Sequence, residues 1–231
     1  MDYLQTYQFW CDAGLPADVQ AELKALEGNE EELKGRFGSD LQFGTAGMRG
    51  IMGAGSNRLN KYTVRRAAQG MAAWLSGTDL PQKAAIGYDS RHNSQEFAQV
   101  CAVAFAEKGI ETWLYDRLAP TPMLSFAVRQ LGCGCGIVIS ASHNAGAYNG
   151  VKCYGPDGCQ MTDEPAAVVT AKIAEIPYFI PESKSFSAFM QEGLIHYIGQ
   201  DIWEKYYAVV LAQDSMNRFF TGATQRRINN V

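Results

Sequence analysis

The order of apolar and polar positions predicts that the chain begins with helices. Apolar residues recur at helical spacing in residues 2–12 and again in residues 16–37, and acidic residues occupy the opposite faces. A Gly-Leu-Pro segment separates the two stretches, while Gly28 and Gly35 weaken the second because glycine disfavours a helix. We therefore expect an N-terminal helical extension over residues 1–40.

A different pattern follows the extension. Residues 41–50 are interrupted by glycines and cannot form a regular helix. Asn60 is a suitable N-cap for a helix over residues 61–76, because its side chain can accept hydrogen bonds from the first turn. The apolar residues of that helix share one face: Val64, Ala67, Ala68, Met71 and Leu75.

From residue 83 onwards, short apolar strands alternate with single helices. The predicted strands are residues 83–89, 110–115, 135–140 and 151–154, and the predicted helices are residues 93–108, 122–130 and 164–175. Strands joined by one helix form βαβ units around a largely parallel sheet. The expected fold class is therefore α/β: a three-layer α/β/α domain with a mostly parallel mixed sheet, preceded by the helical extension.

The end of the chain is less regular. Residues 176–181 are extended and bounded by prolines, which is typical of a linker, and a further helix is predicted over residues 199–212. We therefore assign residues 41–180 to the α/β domain and residues 181–231 to a separate segment. Ligands of such domains bind at the carboxyl ends of the strands.

Composition and charge exclude several classes of protein. The 231 residues are 47% hydrophobic and 19% charged, a balance that excludes disordered chains, collagen and coiled coils. The net charge of −4 leaves no basic field over the whole chain, so no nucleic-acid partner is expected. Nine acidic and three basic residues lie within residues 1–40, which makes the extension an acidic collar.

The chain has neither a long apolar run nor the pattern of a secretory leader. No stretch reaches the roughly 18 apolar residues of a membrane span, and the N-terminus lacks a basic segment followed by an apolar one. The six cysteines include no Cys-x-x-Cys pair, which favours reduced, buried thiols over a zinc site. These features predict a cytoplasmic protein with no membrane partner.

One candidate nucleophile follows the predicted strand 135–140. Ser142 precedes His143 and Asn144, and a serine hydroxyl is a weak nucleophile that needs a base or a charged intermediate. The Gly-x-Ser-x-Gly elbow of α/β-hydrolases is absent around Ser142, and no acidic member of a catalytic triad is identifiable. A serine-hydrolase function is therefore disfavoured.

Four short motifs occur in order along the chain. They are Phe43-Gly-Thr-Ala-Gly-Met-Arg-Gly50, Gly87-Tyr-Asp-Ser-Arg91, Ser140-Ala-Ser-His-Asn144 and Tyr148-Asn-Gly-Val-Lys152. Together they closely resemble the first domain of the α-D-phosphohexomutases, the phosphoglucomutase/phosphomannomutase family. The resemblance runs from about residue 40 to about residue 175, and the Trp-containing helical extension resembles that of one branch of the family.

The resemblance implies a phosphosugar mutase that acts through a phosphoserine. Ser142 would donate a phosphoryl group to a hexose monophosphate and take back the other phosphate of the resulting bisphosphate. This exchange converts glucose or mannose 1-phosphate to the 6-phosphate. Hexose 1,6-bisphosphate would be the intermediate and activator. Mg²⁺ would be the cofactor of the full-length enzyme, with the Ser142 phosphate as one metal ligand.

The resemblance also assigns roles to residues of the motifs. The catalytic residues expected are Ser142, His143, Lys152 and Arg49. Arg49 would brace the phosphate, Lys152 would act as general base or charge stabiliser, and His143 would hydrogen-bond the serine. The residues expected to bind substrate or phosphate are Gly44, Thr45, Arg49, Arg91, Asn144 and Asn149.

Other interpretations stay open at this stage. Arg49 and Arg91 could instead cap strand ends or pair with Asp40 and Asp89, and Lys152 could be a solvated strand residue. The chain could also be a non-catalytic phosphosugar-binding or protein-interaction module that kept this fold. Its exposed face would then bind a protein partner or a second copy of the chain. If the chain is instead part of a mutase, the expected partners of that face are the missing domains II–IV or a second copy of the chain.

The sequence departs from the family in two respects. Ala145 stands where the family motif usually has proline, which predicts a looser loop. No two aspartates lie two residues apart, so the alternating aspartates of the family's Mg²⁺ loop have no counterpart here. Residues 181–231 are therefore expected to be a linker and a truncated start of domain II, with residues 219–231 matching no family segment. The chain alone is expected to be inactive.

Overall fold

A computed structural model describes residues 2–45 and 47–213 of the chain. The helices are α1 (Tyr3–Cys11), α2 (Ala17–Lys24), α3 (Glu30–Phe37), α4 (Lys61–Ser76), α5 (Ser94–Ala106), α6 (Thr121–Gln130), α7 (Asp163–Ala174), α8 (Phe186–Gln191) and α9 (Gln200–Gln213). The strands are β1 (Gly47–Ile51), β2 (Lys83–Tyr88), β3 (Glu111–Tyr115), β4 (Cys135–Ile139), β5 (Tyr148–Tyr154) and β6 (Ile195–Ile198). The elements predicted between residues 61 and 175 are all present, whereas α8 and β6 were not predicted.

The helical extension contains three helices where two stretches were predicted. The stretch 16–37 is divided between α2, which ends at Lys24 with Ala25 as its C-cap, and α3. Gly28 lies in the turn between them with a left-handed φ of +79°. Asn29 then caps α3 by accepting a hydrogen bond from the Glu32 amide. Gly35 lies inside α3 and does not interrupt it.

The extension packs around Trp10, which is fully buried. The Trp10 ring meets Phe179 edge-on with centroids 5.1 Å apart, and it lies 5.6 Å from the Tyr178 ring. The Arg66 guanidinium lies over Tyr178 at 3.9 Å from the ring centroid. The segment 176–181, predicted to be a linker, therefore contributes two aromatic side chains to the core of the extension.

Strand β1 forms from the glycine-rich segment, where the sequence pattern predicted no strand. Gly47 has a φ of +114°, and a Cβ at this position would lie 1.9 Å from the Val151 carbonyl oxygen, so only glycine fits. β1 pairs antiparallel with β5, with Gly47 opposite Lys152 and Arg49 opposite Gly150. This register brings Arg49 and Lys152 onto neighbouring strands.

Asn60 is the N-cap of helix α4, as predicted. The Asn60 side chain accepts hydrogen bonds from the amides of Tyr62 and Thr63, and the Thr63 hydroxyl accepts one from the Asn60 amide. The predicted apolar face of α4 is buried in the main core. α4 packs against α5 and α7 and forms, with them, one helical layer of the domain.

The sheet has the strand order β1-β5-β4-β2-β3-β6. β2 is parallel to β3 and β4, whereas β5 is antiparallel to β4 and β1. Ile137 of β4 faces the core shared with α4 and α5, while a Cβ on the next-door Gly136 would meet Val128 and Leu124 of α6. Helices therefore cover both faces, and the predicted three-layer α/β fold with a mixed sheet is confirmed. The sheet was expected to be mostly parallel, whereas two of the four strand pairs described above are parallel and two are antiparallel.

The six cysteines are free thiols. Cys101, Cys133, Cys135 and Cys153 are buried, and burial raises the pKa of Cys133 and Cys153 to about 12. These thiols behave as small apolar side chains in the core. Cys159 is exposed and does not follow the prediction of buried thiols.

The chain divides into two compact units, Met1–Tyr197 and Ile198–Val231. The first contains the extension and the sheet, and it continues past residue 180, where the domain boundary was predicted. In the second, α9 covers the predicted helix 199–212, and the segment 219–231 lies outside the described residues. Across the described part of the chain, no helix is long and apolar enough to cross a membrane.

Candidate functional site

Ser142 lies on the surface directly after β4, and its backbone is strained. It has a φ of +58°, a left-handed value that is uncommon for a residue with a side chain. The Ser142 amide donates a hydrogen bond to the Ser140 hydroxyl at 3.1 Å. The Ser142 Oγ lies 3.4 Å from His143 Nδ1, so these two predicted residues are side by side and both are exposed.

Arg91, three residues after β2, contacts the backbone of Ser142 and of the residues that follow it. We refer to residues 142–148 as the serine loop. Arg91 Nη2 donates to the carbonyl oxygens of Ser142 and Asn144 at 2.9 and 2.6 Å. Arg91 Nη1 donates to the carbonyl oxygens of Ala145 and Tyr148, both at 3.0 Å. All four Nη hydrogens of Arg91 are therefore directed at main-chain carbonyls, and its predicted contact with phosphate stays a prediction.

A largely buried polar network around Asp89, Ser94 and Asn149 fixes Arg91 in place. The Asp89 carboxylate accepts hydrogen bonds from the Arg91 amide and the Ser94 hydroxyl, and its second oxygen lies 3.5 Å from Arg91 Nε. The Asn149 side-chain amide donates to the Ser94 hydroxyl and to the His92 carbonyl. Asn149 is fully buried and its side-chain amide is used within the domain, so these contacts give it a structural role, while its predicted substrate contact stays a prediction.

Arg49 reaches the serine loop from β1. Its Nη1 donates to the side-chain oxygen of Asn144 at 2.9 Å. The Arg49 side chain is exposed, so the rest of the guanidinium faces solvent beside the loop. Asn144, predicted to bind phosphate, therefore uses its side-chain oxygen to hold Arg49.

Lys152 lies on β5 in a cavity of about 330 Å³ that Arg49, Ser140 and Gln160 also line. Ser142 is not among the lining residues, and its amide is bonded to one of them, Ser140. Burial and then the neighbouring Arg49 guanidinium lower the pKa of the Lys152 ammonium, while the Asp89 carboxylate raises it. The positively charged side chains of Arg49 and Lys152 therefore line one cavity at the edge of the serine loop.

The predicted phosphate-binding residues Gly44 and Thr45 make other contacts. The Gly44 amide donates to the Gly47 carbonyl, and the Gly47 amide donates back to the Gly44 carbonyl. The Thr45 hydroxyl donates to the Asp163 carboxylate at the start of α7. These bonds use the Gly44 amide and the Thr45 hydroxyl to fix the loop before β1, and phosphate binding by the two residues stays a prediction.

Three residues of the site were missed in the sequence. Ser140 and Asp89 lie inside the quoted motifs, and their position at strand ends was a usable signal. Gln160 enters the cavity because residues 155–159 form a turn and Gln160 then bridges to Tyr154. The sequence predicts the Gly-Pro-Asp-Gly turn, but it does not indicate that the chain then runs back beside Tyr154 and brings Gln160 into the cavity.

The described side chains do not form a complete metal site. Within residues 2–45 and 47–213, no group of three or more His, Cys, Asp or Glu side chains could hold a metal ion. Mg²⁺ takes about six oxygen ligands, and of the predicted ligands this chain has only the oxygen of Ser142, which would act through a phosphate. The residues present therefore do not fit a Mg²⁺ site by themselves.

Comparison with known proteins gives a consistent result. Residues 40–178 match the family model described as phosphoglucomutase/phosphomannomutase, alpha/beta/alpha domain I. A phosphoglucomutase from Staphylococcus epidermidis is 39% identical over 179 residues, which cover 78% of this chain and 33% of the relative. A phosphoglucomutase from Staphylococcus aureus is 42% identical over 164 residues, covering 69% and 30% of the two chains.

A solved structure is similar as well. The structure of a protein described as a putative phosphomannomutase from Thermus thermophilus superposes with a TM-score of 0.57 at 28% identity. The superposition covers 64% of this chain and 32% of the Thermus chain. This chain therefore spans about a third of the length of the relatives that it matches.

Proposed function

The chain belongs to the phosphoglucomutase/phosphomannomutase family, and from this membership we propose that Ser142 accepts and donates the phosphoryl group of a hexose phosphate. In the whole protein, this exchange would interconvert the 1-phosphate and 6-phosphate of glucose or mannose through a bisphosphorylated sugar. The chain alone would carry the phosphoserine step and lack the parts that complete turnover.

One observation carries the proposal. Ser142 is exposed at the end of β4, while Arg49 contacts its loop and shares a cavity with Lys152. A phosphoryl group in transfer carries negative charge on its oxygens, so cations at the edge of the loop that carries the nucleophile would stabilise it. An exposed hydroxyl without such cations would have no comparable support.

The proposed step forms a bond between Ser142 Oγ and phosphorus and breaks the bond between phosphorus and the sugar oxygen. The Ser142 hydroxyl proton passes to a base, and the sugar oxygen that leaves takes up a proton. Lys152 is the candidate base, because burial and Arg49 lower its pKa and so increase the fraction of neutral amine. Arg49 would offset the charge on the transferred group.

The predicted Mg²⁺ remains a proposal for the complete protein. Its other ligands would come from outside the described residues, so the step above is written only with this chain's own groups. The same holds for the partners: further domains of the whole protein, or a second copy of this chain, are proposed to cover the site. A cytoplasmic location is proposed from the family's metabolic role.

Intact-mass spectrometry tests the proposal. The purified chain is incubated with glucose 1,6-bisphosphate, and we expect one added phosphate that maps to Ser142. The Ser142→Ala variant should stay unmodified under the same conditions. A wild-type chain that stays unmodified at saturating bisphosphate would contradict the phosphoserine step and favour a binding module.

A fluorophosphonate probe tests the serine-hydrolase alternative in the same preparation. We expect no labelling of Ser142, because among the residues that the structure describes Ser142 Oγ lies near His143 but no acidic side chain completes a triad. Labelling of Ser142 together with absent phosphate incorporation would replace the mutase proposal by a hydrolase.

A further inference from the structure

We propose that Arg91 is a positioning residue that fixes the backbone of Ser142 in the geometry required for phosphoryl transfer. This inference rests on the proposed function of Ser142 and adds to it the part that holds the nucleophile. Arg91 hydrogen-bonds the main-chain carbonyls of the serine loop, so it can hold Ser142 in place without touching the substrate.

The strained backbone of Ser142 needs support on both sides. A non-glycine residue persists in the left-handed region only where surrounding contacts determine it. The Ser142 amide is held by the Ser140 hydroxyl, and the Ser142 carbonyl is held by Arg91 Nη2. Ser140 belongs to the same chain segment as Ser142, whereas Arg91 comes from the connection between β2 and α5 and ties the serine loop to a separate part of the fold.

The guanidinium group matches this task in a way that an ammonium group cannot. Four carbonyl oxygens of the serine loop account for the four Nη hydrogens of Arg91. They lie in two pairs, one pair on each Nη atom, which a planar fork with fixed directions can satisfy together. A lysine has three donors on one atom and cannot bond both pairs.

The orientation of the Arg91 side chain is itself fixed. Asp89 lies against Nε and also accepts a hydrogen bond from the Arg91 amide. Ser94 and the buried Asn149 extend this support to α5 and β5. Because the Arg91 side chain is only 14% exposed, it cannot turn into solvent without breaking these bonds.

Movement of the serine loop would misplace two groups at once. Ser142 opens the loop, and Asn144 within it holds Arg49. A displacement of about 1 Å at a reacting group can lower a rate by about 100-fold. Loss of the Arg91 contacts is therefore expected to act on the rate of transfer, beyond any effect on folding.

The test compares Arg91→Lys with Arg129→Lys in the full chain. Arg129 is a matched control, since it is an arginine whose Nε bonds one carbonyl, that of Ser125, away from the serine loop. We measure the rate of phosphate incorporation at Ser142 from glucose 1,6-bisphosphate by mass spectrometry. Arg91→Lys should be slower by about 100-fold, and Arg129→Lys should equal the wild type.

A second variant and a second measurement protect the test against a folding defect. Asp89→Asn keeps an acceptor for the Arg91 amide but removes the charge beside Nε. The rate is compared at a pH where it has levelled off, so that the lost charge near Lys152 does not change the fraction of neutral amine, and the variant should slow incorporation by about 10-fold. Backbone chemical shifts of residues 141–145, recorded by NMR on the folded protein, report the conformation of Ser142. In Arg91→Lys, these shifts should leave the left-handed pattern while the shifts of α4 stay unchanged.

The outcomes separate the inference from the function on which it rests. An Arg91→Lys variant that incorporates phosphate at the wild-type rate, or that keeps the left-handed shifts of Ser142, would overturn the positioning role. If the wild-type chain incorporates no phosphate, the proposed function fails. The NMR shifts then still decide whether Arg91 fixes Ser142.

Discussion

The extension and the serine loop are held in place by different physical means. The extension surrounds the buried Trp10 with aromatic and aliphatic side chains, and its stability comes from apolar surface removed from water. The serine loop is exposed, and its conformation is fixed by directional hydrogen bonds that Arg91 donates to its carbonyl oxygens. Apolar packing tolerates small changes of shape, whereas directional bonds fix atoms in place, which a nucleophile requires.

This contrast predicts that substitutions in the two regions affect different measurements. Changes in the serine loop should alter phosphate incorporation and leave the free energy of unfolding almost unchanged. Changes in the extension should do the reverse. Each of the following variants is therefore measured in both ways.

The largest effect on chemistry is expected from Ser142→Ala. The variant lacks the oxygen that accepts the phosphoryl group, so incorporation from glucose 1,6-bisphosphate should be abolished. Unfolding in urea should change by less than about 0.5 kcal/mol, because the side chain is exposed. A clear loss of stability would show that Ser142 is structural.

The largest effect on stability is expected from Trp10→Ala in the extension. Removal of a fully buried tryptophan leaves a cavity and should lower the free energy of unfolding by about 3–5 kcal/mol. Phe9→Ala is the matched control, since Phe9 also meets Phe179 but is 42% exposed, and it should cost much less. In the folded fraction of Trp10→Ala, the rate of incorporation should stay at the wild-type value; a rate reduced about 10-fold or more would mean that the two regions are coupled.

How far the sequence predicts the two regions also differs. Helix α4 and its Asn60 cap, like strands β2 to β4, follow from local spacing and capping chemistry. Ser142 could be placed after β4 on the same basis. The aromatic contacts of Phe179 with Trp10 could not be predicted, because the segment 176–181 has the composition of a linker.

The remaining parts of the site depend on contacts that have no local pattern. β1 is defined by its register against β5, which Gly47 permits, and neither partner strand indicates the other in the sequence. Arg91 bonds main-chain carbonyls, and every residue has such a carbonyl, so the side chains of the loop do not reveal the contact. The burial of Asn149 likewise follows from tertiary packing.

The next largest effect on phosphate incorporation is expected from substitution of Lys152, at the edge of the serine loop. Lys152→Met should slow incorporation by about 100-fold if the amine acts as the base. In the wild type, the rate should rise with pH and level off above the lowered pKa of Lys152, because only the neutral amine takes up the proton. The variant should lack this rise, and an identical pH profile would remove Lys152 from the step.

The lowered pKa of Lys152 also predicts that the stability of the fold depends on pH. Its pKa is lower in the folded chain than in the unfolded one, so the unfolded chain binds more protons between the two values. In that window, which lies below the ordinary lysine pKa, the free energy of unfolding should rise with pH. Urea titrations across the window should show a steeper rise of the free energy of unfolding with pH in the wild type than in Lys152→Met. The same dependence on pH in both proteins would contradict the lowered pKa of Lys152.

The smallest effect is expected from Asn144→Ala, compared with Asn57→Ala in the contact between the extension and the domain. Asn144 holds Arg49 through its side-chain oxygen, and loss of one hydrogen bond to a charged group should slow incorporation by about 10-fold. Asn57 donates to the Gly35 carbonyl of α3, so its replacement should lower the free energy of unfolding by about 1 kcal/mol without changing the rate. If both variants lower stability and neither changes the rate, Arg49 does not depend on Asn144, and the serine loop is held by Arg91 and Ser140 alone.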